Sequence, residues 1–139
     1  MDANQPTPKP EIQTTKQLAA ARQIAAAIEH LRKQEFECAI TLAAAAENIL
    51  PPTDKPHIFS LLKKSLSPEE FKELNLAVNW LKHYKPEDLD PVIIPEAVAV
   101  WVILRAITKF IAVYHHSAEW MEAFLEWSST HHGYPVPRP

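Results

Sequence analysis

The chain has 139 residues, enough for one domain with a sizeable core and too short for two ordinary ones. It is 47% hydrophobic but holds a single glycine, Gly133, against thirteen prolines, so it lacks the glycine that β-hairpins and phosphate-cradling loops need. A formal net charge of -3 excludes a global basic field for nucleic acid, so any RNA contact has to come from a local patch.

Proline used as punctuation between long glycine-free runs predicts an all-α protein. Residues 1–12 carry three prolines and almost no large apolar group, and are expected to be a disordered tail. The opening "MDANQPTPKPEIQ" lacks the apolar core of a signal peptide. The longest apolar run, Ala97 to Leu104, is far short of a membrane span, and one cysteine, Cys38, allows no internal disulfide. A cytoplasmic protein with no membrane segment is expected.

The first helix is predicted from about Thr15 to Lys33, with Leu18, Ile24, Ile28 and Leu31 inward and alanines between them. The second is predicted from Phe36 to Leu50, where Pro51 and Pro52 stop it. No proline or glycine separates the two. The apolar series is nevertheless broken at Arg32 to Glu35 and restarts at Phe36 and Ile40, which places a tight turn near Gln34 and makes an αα-hairpin. "TDKPHIFSLLKKSL" predicts a short helix with Ile58, Leu61 and Leu62 inward.

Ser67, Pro68 and Glu70 have the spacing of a capping box with proline at the first helical position. The helix they open buries Phe71, Leu74, Val78 and Leu81 and ends before Pro86. An acidic, proline-bearing loop, "KPEDLDP", follows. The next helix runs from about Pro95 to Tyr114 and is apolar almost all round at its start, so it is expected to be the central element. Ser117 is placed to cap a last helix, with Glu119 in its first turn and Trp120, Phe124 and Trp127 on one side. The sum is an up-and-down bundle of four main helices plus one or two short ones, occupying residues 13–130, with 131–139 a flexible tail.

Three constellations carry chemistry. At about 100° per residue, Asn75, Asn79, Lys82 and His83 form a polar line on the fourth predicted helix, with Leu76 and Trp80 beyond it. Apolar groups on both flanks of a polar stripe describe either a wet edge of the bundle or an interface with a site in it, the second flank packing on the tail helix or a second subunit. Arg105, Lys109 and His116 share one face of the central helix, with Thr108 alongside, and Arg105 follows a long apolar run, so it needs an anionic ligand or a structural carboxylate such as Glu47 or Glu73. His116 and Glu119 lie one turn apart, but no second Glu-x-x-His unit accompanies them, so neither a metal nor any other cofactor is expected. Cys38 lies in an apolar helix without a partner base and is expected to be a buried structural thiol.

The stretch "AIEHLRKQEFECAITLAAAAENIL" resembles the opening hairpin of HEPN domains (higher eukaryotes and prokaryotes nucleotide-binding). Glu35 and Phe36 stand where that family has an acidic–aromatic pair, and Ala39, Leu42, Ala43, Ala46 and Glu47 follow its second helix; Gln34 replaces the usual turn glycine. The resemblance spans about residues 15–114. It implies a bundle of four main helices and a short one, and an arginine motif with a histidine a few residues further on that, in active members, lines a dimer cleft and cuts RNA. Here the motif becomes "VNWLKH": Asn79 and His83 match, making them the candidate catalytic pair, while Val78 stands at the arginine. A histidine can move the 2′-hydroxyl proton, but valine cannot stabilise charge on a phosphorane. The expectation is therefore a homodimer, non-catalytic or weakly active, that binds a partner protein, a nucleotide or RNA through this face, with Asn75, Lys82, Arg105 and Lys109 as candidate ligand-binding residues. The alternatives are a metal-independent endoribonuclease of toxin type and a purely structural bundle.

Overall fold

The protein is described by a computed structural model over residues 9–53 and 66–134, and among these every regular element is a helix. In chain order they are α1 (Lys16–Arg32), α2 (Phe36–Ile49), α3 (Pro68–Lys82), α4 (Glu96–Tyr114) and α5 (Glu119–His132). They pack on one another as a helical bundle, the all-α architecture expected from the proline punctuation. The short helix predicted around Ile58, Leu61 and Leu62 falls on residues outside the described ones.

Thr15 caps α1, its hydroxyl accepting from the Leu18 amide at 3.1 Å. The break in the apolar series does mark the turn. Gln34 adopts φ 63, the left-handed conformation that usually selects glycine. Around it, the Gln34 amide donates to the Leu31 carbonyl and the Glu35 amide to the His30 carbonyl, the paired bonds of a Schellman motif. His30 Nδ1 and Glu35 Oε1, 2.9 Å apart, bridge the same turn. Fully buried alanines line both helices of the hairpin, Ala20 and Ala27 on α1 and Ala39, Ala43 and Ala46 on α2, and such small side chains allow close helix approach.

α4 is the central helix. Val98 to Leu104 are all buried without interruption, which requires neighbours on every side, and α4 packs against each of the other four helices. By length and composition alone α4 could cross a membrane, but most of it is buried by the other helices, the condition of a core helix. It ends at His115, whose φ of 54 turns the chain out of the helix while its amide closes on the Ile111 carbonyl.

Three expectations are corrected. Leu18 is not inward but 40% exposed, because it lies off the α1 stripe formed by Ala20, Ile24, Ala27, Ile28 and Leu31. Cys38 is exposed rather than buried: the buried stripe of α2 is Ala39, Ile40, Ala43, Ala44 and Ala46, and Glu37, Cys38 and Thr41 face the other way. Ser117 does not cap α5. Ala118 holds the cap position, and the Ser117 hydroxyl donates instead to Glu122 Oε1 at 2.6 Å.

α5 continues through His131 and His132 to a left-handed Gly133. His132 Nε2 meets Glu96 Oε1 at 2.8 Å, tying the end of α5 to the start of α4. The Tyr134 ring lies near-parallel to the His132 ring and 6.0 Å from the Trp101 ring. Burial, and then the charge of Glu70, push the Tyr134 phenol above its ordinary value.

Candidate functional site

α3 begins with the capping box read from its sequence. Ser67 Oγ accepts from the Glu70 amide at 3.1 Å, the Ser67 amide donates to Glu70 Oε1 at 3.2 Å, and Pro68 takes the first helical position. The apolar face sets the helix rotation. Leu74 is buried, and Ala77, Val78 and Leu81 are half-buried against the core. The polar line therefore faces outward. Asn75 is half-buried; Asn79 and Lys82 are exposed. His83 lies just past the last turn in an extended conformation, exposed, its amide donating to the Asn79 carbonyl at 3.0 Å. Val78, at the position of the motif arginine, points into the bundle side of the helix rather than along the polar line.

Among the described residues, the apolar flank beyond the line is met by the chain that follows α3. Residues 84–95 fold back along it, and the Trp80 indole donates to the Leu89 carbonyl at 2.7 Å, fixing the segment to the helix. Between them lies a mostly apolar hollow of about 580 Å³. Leu76, Ala77 and Trp80 form its helix side, and Leu89, Val92, Ile93 and Ile94 its other wall. Around it large apolar groups remain open to water: Leu76 is 60%, Leu89 77% and Ile93 94% exposed. Among the described residues, Glu73, Glu87 and Asp88 also line it, against one cation, Lys85.

A second, more polar hollow of about 440 Å³ adjoins it and shares Trp80, Lys85 and Asp88. Here Lys82 and His83 are gathered with Asp88 and Asp90. Among the described residues its two ammonium groups are matched by two carboxylates, and all four charges lie near bulk water, so the field on a bound anion is weak.

Arg105 and Lys109 belong to a different place. Arg105 Nη2 lies 2.9 Å from Glu47 Oε1, and Lys109 Nζ donates to the Glu47 carbonyl at 3.0 Å. Of the two carboxylates considered for Arg105, Glu47 is the partner. Lys109 satisfies a carbonyl in the last turn of α2, where a cation also suits the helix dipole. These two cations are thus engaged with α2, while Asn75, Asn79, Lys82 and His83 remain on α3 and its end. His116 and Glu119 are both exposed, and among the described residues no three His, Cys, Asp or Glu side chains are grouped as metal ligands would be.

The wall built by residues 84–95 was missed in the sequence. Its signal was the aliphatic triplet Val92–Ile93–Ile94 held between Pro91 and Pro95, an apolar run that no helix uses. No family model, no curated protein and no solved structure matches the chain.

Proposed function

We propose that this chain is a HEPN-like, non-catalytic binding bundle whose working surface is the outer face of α3 with residues 84–95, and that its ligand is a partner protein. The observation that carries this reading is the apolar hollow fixed between Trp80 and Leu89 and ringed by exposed Leu76, Leu89 and Ile93. A nucleotide or RNA is less well served. Arg105 and Lys109 are engaged with Glu47, and the lysines beside His83 are matched by carboxylates. Val78 leaves the motif without its cation, which favours binding over cleavage. Self-association into a homodimer is the alternative use of the same surface. The lone cysteine suits a cytoplasmic setting.

The test is a photo-crosslinking scan in the source cells. A crosslinker at position 76, 89 or 93 is expected to trap one discrete partner that a crosslinker at Lys16 of α1 does not. The purified partner should then bind the wild-type chain and lose affinity for Leu76→Asp. Adducts independent of position, or a partner indifferent to Leu76→Asp, would refute the reading. An adduct at the mass of two chains would identify the homodimer.

A second reading rests on the polar hollow, which gathers His83 with Lys82 and Lys85. In an endoribonuclease His83 acts as acid and base, and a lysine takes the phosphate charge. RNA cut in the presence of a chelator by the wild type and left intact by His83→Ala would establish it. RNA left intact by both would exclude it.

A further inference from the structure

We propose that the apolar hollow beside α3 receives one face of a basic, amphipathic helix of the partner protein. This rests on the reading of that surface as a protein-binding site and adds the chemistry of the occupant. The helix side of the hollow runs from Glu73 to Trp80, about two helical turns or roughly 10 Å. That length accepts two large apolar side chains one turn apart, the spacing of an amphipathic helix lying in a groove. Ile93 and Leu89 face water over most of their surface, so the occupant has to extend past the rim to cover them. A small molecule confined to the hollow would leave them wet.

Charge decides the rest. Among the described residues, three carboxylates line the hollow, from Glu73, Glu87 and Asp88, against the single ammonium of Lys85. Apolar anchors flanked by lysine or arginine complement that pattern. A second copy of this chain complements it less well: a two-fold interface through this face would bring two net-acidic patches together. A nucleic acid carries the wrong sign. The wall is also already in place, held by the Trp80–Leu89 bond, so docking does not have to order it first.

The test uses two labelled helical peptides with leucines at i and i+4, one flanked by lysines and the other by glutamates, titrated with the full chain by fluorescence anisotropy. The lysine peptide is expected to bind about tenfold more tightly, from three rim carboxylates contributing together. The preference should shrink as salt rises. Glu73→Lys, Glu87→Lys and Asp88→Lys combined should invert the order, and Leu76→Asp should abolish binding of both peptides. These side chains lie on the surface, and a circular-dichroism melt confirms that each variant is folded. Equal binding of the two peptides, no binding of either, or a preference that survives the triple reversal would overturn the basic-helix proposal. If the crosslinking scan trapped a partner that docks by an acidic or neutral segment, the protein-binding reading would stand and this one would fall.

Discussion

Replacing Glu47 by alanine separates a structural Arg105 from a ligand-binding one. The carboxylate and the guanidinium meet at 2.9 Å with side chains only 13% and 19% exposed. Breaking a fully buried pair by removing one partner costs about 3–5 kcal/mol, because the remaining charge stays desolvated. Here Arg105 keeps a further interaction besides the one with Glu47, part of the guanidinium still reaches water, and alanine gains a few tenths of a kcal/mol in helix propensity, so the expected loss is about 1–2 kcal/mol. The Lys109 bond persists, since it goes to the Glu47 carbonyl. Urea unfolding followed by tryptophan fluorescence reads this as a fall in the midpoint of about 1 M. Replacing both partners, Glu47→Leu with Arg105→Met, should recover most of the loss, because two apolar groups need no pairing. A change below about 0.5 kcal/mol in Glu47→Ala would refute the reasoning and return Arg105 to the pool of ligand-binding residues.

Other perturbations test other joints of the fold. Ser67→Ala removes one half of the α3 capping box and should lower stability by about 1 kcal/mol in the same unfolding assay. Gln34→Gly should raise it by up to about 1 kcal/mol, because glycine occupies the left-handed turn without the Cβ penalty. Cys38 should react with a thiol reagent in the native protein nearly as fast as in denaturant, whereas a buried thiol would be protected. Tyr134 titrates above its ordinary value of 10 because burial disfavours the phenolate, so its contribution to stability is fully present below that pH. It should be lost as pH rises through the folded value. Ultraviolet absorbance should show a late-ionising phenol that disappears in Tyr134→Phe, and the alkaline fall in stability should be shallower in that variant.

Legibility followed the range of each interaction. The capping box of α3 spans four residues and the α1–α2 turn shows as a break in phase, so both could be read from adjacent positions. Cys38 could not, because alanines occupy so much of the α2 surface that the period alone does not select the buried stripe. Ser117 missed its place by one residue because the Glu122 carboxylate competes for its hydroxyl. Arg105 was readable as a group in need of a carboxylate, while the choice of Glu47 over Glu73 depends on packing between helices remote in sequence. The hollow was the least legible feature. It exists only because residues 84–95 return over the outer flank of α3 and bond to Trp80, whereas the sequence pattern shows that flank as an apolar edge to be covered by the tail helix or a second subunit.

The central claim is that this hollow, rather than the Arg105 region, is where the protein meets its partner. It is tested most directly by an amide and indole NMR titration of the chain with the lysine-flanked peptide. The account predicts shift changes centred on Leu76, Leu89, Ile93 and the Trp80 indole N–H, whose bond to the Leu89 carbonyl makes it a resolved probe of the wall. Changes centred on Glu47, Arg105 and Lys109, or none at Trp80 at saturating peptide, would contradict it.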